Sequence, residues 1–193
     1  MTSSISQRST DETPSGLAHA ATWAMFFISG SVIGTWAASV PFVRSEVGIS
    51  TATLGLCLLG MGIGTVGMNL PVGHLLHRFP SAALSRIGAL IVPLAAMLPL
   101  ISRTPVELAL ALAVLGASFA VLDVSMNAHG VAIEKKFGAV IMSSLHGGWS
   151  MGGLVGAGCV AVGHLVGMPP RLEAGIVLRR STRVGVCLRR PPW

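Results

Sequence analysis

Charge is what this sequence has least of: 10% of its 193 residues are Asp, Glu, Lys or Arg, against 52% hydrophobic, and the mean hydropathy is +0.74. Soluble domains carry about 25% charged residues, so this composition excludes an ordinary water-solvated globule and makes lipid the expected solvent. Tyrosine is absent and aromatics amount to 5%. Only three cysteines occur, Cys57, Cys159 and Cys187. They lie far apart, the first two inside apolar runs, so no disulfide or zinc framework is implied. Acidic residues number 7 against 13 basic ones, but the formal charge of +6 is not spread along the chain. Arg171, Arg179, Arg180, Arg183, Arg189 and Arg190 all follow Pro169, leaving the upstream part nearly neutral. A nucleic-acid partner would need a basic face on a folded module, and none is visible.

What is abundant is glycine, at 24, together with long uncharged runs. A helix of about 20 apolar residues crosses a bilayer, and five stretches qualify: 17–43, 51–76, 86–101, 104–131 and 139–168. The fold class expected is therefore all-α and membrane-embedded, a bundle over residues 17–168 with short links that make successive helices antiparallel neighbours. The polar segment 1–16 precedes it, and the run after it is too long for a signal-peptide core, so the first span is retained. Pro93 and Pro99 should kink the third span. Thr104-Pro105-Val106-Glu107 reads as a capping box with proline at the first helical position. Pro169 and Pro170 should stop the fifth span.

Orientation follows from the links. Arg78, Arg86, Lys135 and Lys136 fall on one side, against Arg44 and Arg103 on the other, which favours a cytoplasmic N-terminus. Five spans would then put the Arg-rich segment 169–193 outside. Its Arg, Pro, Gly and Val texture contains no further span, so it is expected to be disordered and to mark a frameshifted or prematurely ended reading.

Two short motifs have plain alternatives. Gly62-Ile63-Gly64-Thr65-Val66-Gly67 fits a dinucleotide fingerprint, which needs a preceding strand and a following acid. Gly60, Gly64 and Gly67 serve equally as a helix-packing stripe. Gly148-Trp149-Ser150-Met151-Gly152 fits a nucleophile elbow, leaving an intramembrane serine protease as a remote enzyme reading, while Gly148, Gly152 and Gly156 form a second packing stripe.

The polar residues within spans are more telling, because an ionisable group in lipid is costly unless it faces a cavity or a partner. Asp123 lies about 16 Å along its helix from Glu134, with Asn127 one turn away, and His146 about 12 Å from Gly138, which puts the three at similar depth. A carboxylate, an amide and an imidazole there can hold a polar solute, pass a proton, or satisfy one another. Trp149 shares the face of His146 and can stack on a sugar ring. Trp23 and Trp36 suit interfacial anchoring, and Trp36 alternatively a cavity wall. Asn69 and His129 are lesser candidates. His74 and His77, with no third ligand, imply no metal.

Asp123-Val124-Ser125-Met126-Asn127, the charged link at Glu134 to Lys136, and Ser144-Leu145-His146-Gly147-Gly148-Trp149-Ser150-Met151-Gly152-Gly153 resemble the major facilitator superfamily (MFS). The similarity is to a bacterial branch that includes fucose permease and a rhizopine-associated membrane protein. Gly34-Thr35-Trp36-Ala37 and Val40-Pro41 resemble it too. The superfamily's gating loop between helices two and three corresponds to Gly73, His77 and Arg78, without its acid and later basic residues. The resemblance implies a partial N-terminal six-helix bundle of a twelve-helix, cofactor-free secondary carrier in the bacterial inner membrane. Such a carrier moves a small polar solute, sugar-like and commonly with protons by symport. It places Trp36, Asp123, Asn127, His146 and Trp149 toward the cavity. A chain with less than one half of such a carrier is expected to be inactive alone, with self-association conceivable. The rival is a membrane protein that only packs against partners.

Overall fold

A computed structural model describes residues 16–168 and 170–187, all in helices and short links. The helices are α1 (Gly16–Val47), α2 (Thr51–Arg78), α3 (Ser81–Ala95), α4 (Leu98–Ile101), α5 (Pro105–Phe137), α6 (Met142–Leu165) and α7 (Pro170–Cys187). Four stretches are long and apolar enough to cross a membrane: Ala18–Val47, Thr51–Arg78, Ser81–Ile101 and Pro105–Phe137. The fifth expected span becomes the 24-residue α6, which is not among these four.

Local chemistry sets the ends. Gly48 takes the left-handed φ of 70° that closes α1, and the Ser50 side chain then accepts the Thr53 amide to open α2. Thr104 opens α5 by accepting the Glu107 amide at 3.2 Å, and Glu107 Oε2 accepts the Arg103 amide at 2.8 Å, so the cap forms with its return bond going to the residue before Thr104 instead of to Thr104 itself. Pro93 and Pro99 do more than kink the third span. They break it into α3 and the single turn of α4, because proline lacks the amide that would continue the ladder. Gly138, at φ 67°, ends α5. The Glu134 carboxylate then reaches over the link and accepts the amides of Ile141 (2.7 Å) and Met142 (2.8 Å), capping an α6 that has no N-cap side chain of its own.

The expectation that successive helices are the main neighbours is corrected. α1 packs chiefly on α6, and α2 on α5, while α5 and α6 touch little. Both major pairs are parallel: contacts rise together from Gly148 at Trp23 through Gly152 at Phe27 to Gly156 at Ser31, and from Gly60 at Ala109 to Gly64 at Ala113. A Cβ on Gly152, Gly156 or Gly64 would overlap the facing carbonyl, so these glycines allow backbone contact. Thr65 Oγ1 sits 3.2 Å from the Gly116 carbonyl across the α2–α5 seam. Gly67 and Gly62 face open space and take no part in it. Side-chain packing between helices with backbones this close outweighs mere adjacency in the chain.

Within the segment 169–193, expected to be disordered, the described residues 170–187 form the helix α7, which lies against α1, α3 and α6. Its apolar residues, such as the buried Leu178, supply enough contact surface for docking despite the arginines. Residues 1–15, expected as a polar tail, lie outside the described residues.

The core is apolar and built around Phe26, Trp36, Leu112, Leu115, Leu122 and Met126. α2 is the outlying element. Only 11% of its most apolar window is buried, against 61% for α1, so Leu56, Leu59, Ile63, Val66 and Leu70 point away from the bundle.

Candidate functional site

Asp123 and Asn127 sit half-buried within α5, one turn apart. Asn127 Nδ2 donates to the Asp123 carbonyl at 2.8 Å and to Asp123 Oδ1 at 3.2 Å, so the amide is anchored and the carboxylate keeps its second oxygen uncommitted to Asn127. His146 of α6 interacts electrostatically with Asp123. Its ring meets Phe26 of α1 edge-on, with centroids 5.5 Å apart and planes at 83°. Asp123 and Asn127 are thus in contact, while His146, exposed on α6, is linked to Asp123 only through its charge and stands at a different depth. With α6 capped by Glu134 at Met142, His146 stands about one turn into α6 and Asp123 about three turns along α5 from Glu134. The imidazole lies nearer the α5–α6 link than Asp123 does.

Trp149 is half-buried and packs on the core one turn beyond His146. Trp36 is 5% exposed and belongs to the apolar core, so it presents almost no surface of its own. Gly73, His77 and Arg78, expected in a gating loop, are in the last turns of α2. The link itself is only Phe79 and Pro80, because nothing before Pro80 interrupts the helix. Asn69 is exposed. His129 is buried in α5 and senses the charge of Arg86 on α3. His74 Nδ1 lies 3.0 Å from the Leu70 carbonyl, a local bond within α2.

The two motif readings meet their tests. Gly62 to Gly67 lie inside α2 with no strand before them, and Ser150 lies inside α6 where an elbow would need a strand-to-helix turn. Gly60, Gly64, Gly148, Gly152 and Gly156 act as packing glycines instead.

Three residues escaped the sequence reading. Phe26 orients His146 but is one apolar residue in an apolar run, with no signal to distinguish it. Glu134 was visible as a loop charge, and its capping of α6 depends on a fold-back no local pattern announces. Ser29 has a buried hydroxyl without a partner among the described residues. By contrast Thr22, Ser31, Thr35 and Ser39 along the same helix each donate to the carbonyl four residues back.

No family model matches the chain, and no solved structure matches it significantly. Curated relatives do. An uncharacterized MFS-type transporter of Yersinia pestis is 37% identical over 145 residues, covering 75% of this chain and 38% of the relative. The membrane protein MosC of Rhizobium meliloti is 33% identical over 156 residues, covering 79% and 38%. The uncharacterized transporter y4wD of Sinorhizobium fredii is 34% identical over 135 residues, covering 68% and 35%. The chain therefore spans well under half the length of the curated relatives it matches.

Proposed function

From its homology to MFS-type transporters over 75% of its length, we propose that this integral membrane chain contributes one bundle of a secondary carrier for a small polar solute. Asp123, Asn127 and His146 are its solute- or proton-binding groups and Trp149 its stacking wall. In this reading α6 is a fifth crossing, the N-terminus is cytoplasmic in a bacterial inner membrane, and a second bundle completes the cavity. The observation that supports it best is the Asp123–Asn127 pair. A carboxylate in the middle of a 33-residue apolar helix is kept in lipid only at a cost, which a polar chamber or a partner repays. Here the amide neighbour bonds one carboxylate oxygen, and His146 of α6 acts on the carboxylate electrostatically.

Coupling to protons through Asp123 follows the same logic, since an acid that exchanges protons between two faces drives symport. Uptake into proteoliposomes under an imposed pH gradient tests it, using a full-length relative with the aspartate equivalent to Asp123 replaced by Asn. The expected result is loss of gradient-driven accumulation with solute exchange partly retained. Unchanged accumulation overturns proton coupling, and uptake unaffected by joint replacement of the Asp123, Asn127 and His146 equivalents overturns the site. The outward apolar face of α2 supports the second reading, a chain that packs against a partner in the membrane. It predicts co-purification of that partner with no solute flux.

A further inference from the structure

α7 differs from the other long helices in the charge it carries to the middle of the bundle. Its Leu178 and Ser181 are buried, while Arg179, Arg180 and Arg183 are exposed, the first and last of them one turn apart on the same side. Arg180 lines an apolar cavity of about 630 Å³ together with Ile28 and Ser31 of α1 and Val155 and Cys159 of α6, which fixes the depth of the arginines. Ile28 and Ser31 lie about 15 and 20 Å into the apolar span that starts at Ala18. That is the middle of a hydrocarbon layer about 30 Å thick. From there the stem of an arginine is too short to carry its head to either headgroup layer.

A charge at that depth is costly unless a partner neutralises it. α7 rests on α1, α3 and α6. Of these, α3 and α6 contain no acid, and the one acid of α1, Glu46, is about 22 Å beyond Ser31. Glu173, the one acid of α7, is about 9 Å along the helix from Arg179. No ion pair to Arg179, Arg180 or Arg183 exists among the described residues.

We propose that the arginine face of α7 is a docking surface for a transmembrane helix of another protein that carries a carboxylate, Asp or Glu, at mid-bilayer depth. Charge complementarity selects this partner: an uncharged helix leaves the guanidinium groups uncompensated, and a lipid phosphate is out of their reach. A carboxylate facing α7 can accept a bidentate pair of bonds from one guanidinium while the next lies within one turn. A second copy of this chain does not qualify, because the acid in the middle of its spans, Asp123, is half-buried in its own bundle and bonded to Asn127. The surface is separate from Asp123 and rests only on α1 crossing the bilayer, so it stands or falls apart from the transport reading.

The test uses the full chain, with a donor dye on its N-terminus, in phosphatidylcholine vesicles. Synthetic leucine-rich helices of about 20 residues carry an acceptor dye and a single central Asp, Asn or Leu. The Asp helix should reach half-maximal energy transfer at about a tenfold lower mole fraction than the Leu helix, because relieving part of the insertion cost of one arginine corresponds to a factor of that size. The Asn helix should behave like the Leu helix. Joint replacement of Arg179, Arg180 and Arg183 by Leu should bring the ratio to one, and joint replacement by Lys should largely preserve it. Equal transfer to the Asp and Leu helices in the wild type overturns the proposal, as does a preference that survives the Leu replacements. An Asn helix as effective as the Asp helix overturns it in favour of hydrogen bonding without charge recognition. Loss of the preference on adding phosphatidylglycerol overturns it in favour of lipid headgroups. Docking of α7 is checked apart from partner binding, with Cys57, Cys159 and Cys187 replaced by Ala and the Asp helix present. Thr182→Cys should then resist a membrane-impermeant maleimide, and rapid labelling would place α7 at the membrane surface, where its arginines need no partner, and overturn the proposal.

Discussion

Gly62 and Gly64 belong to the same short motif and differ in everything that matters for packing. A Cβ on Gly64 would run into the Ala113 carbonyl, whereas a Cβ on Gly62 meets nothing within 4 Å. Gly64→Ala should therefore force α2 and α5 apart and cost about 1–3 kcal/mol. Gly62→Ala should be neutral or slightly stabilising, because alanine is the better helix former. Thermal unfolding of the two variants in the same detergent checks this, and equal melting temperatures would remove the packing role given to Gly64. The same contrast separates Asp123 from Glu107. Both are carboxylates on α5, as Glu134 is, but Glu107 is exposed and engaged as a cap while Asp123 is half-buried in the apolar middle. Only for Asp123 does the environment demand an explanation beyond helix formation.

At the scale of elements, the link between α5 and α6 is held by one side chain. Glu134 is half-buried and satisfies two amides that would otherwise be orphaned at the start of α6. Glu134→Ala should cost about 1–2 kcal/mol by leaving them unpaired. Hydrogen exchange at Ile141 and Met142 should accelerate while that at Leu122 stays slow. Protection unchanged at Ile141 would show that the cap contributes nothing in the membrane. Because His146 is one turn beyond this cap, the variant should also disturb the approach of His146 to Asp123, tying a loop contact to the proposed chamber.

For the molecule as a whole, the parallel pairing of α1 with α6 makes a long-range statement that can be measured. Ser45, near the end of α1, lines one cavity with His164 and Leu165 at the end of α6. Spin labels at Ser45 and Leu165 should report a short separation. Labels at Ser45 and Val140 should be about 35 Å apart, the length of the intervening helix. Similar distances for both pairs, or a reversed order, would exclude the parallel arrangement.

The chain's own residues determined that it spans a membrane, where most helices begin and end, and which polar groups sit in apolar company. Those properties arise from composition, run length, proline and capping chemistry, all of which act within a few residues. Thr104 and Glu107, Gly138, and the proline break in the third span were readable for that reason. Which helix lies beside which was not, because pairing is decided by complementary surfaces far apart in sequence. Gly148, Gly152 and Gly156 announced a close neighbour without saying that it is α1. Nor did the order of residues reveal that Phe26 meets His146, that Trp36 is buried, or that the Arg-rich segment docks as α7 around an apolar cavity. Each of these rests on contacts between distant elements, and only their packing in three dimensions brings them into being.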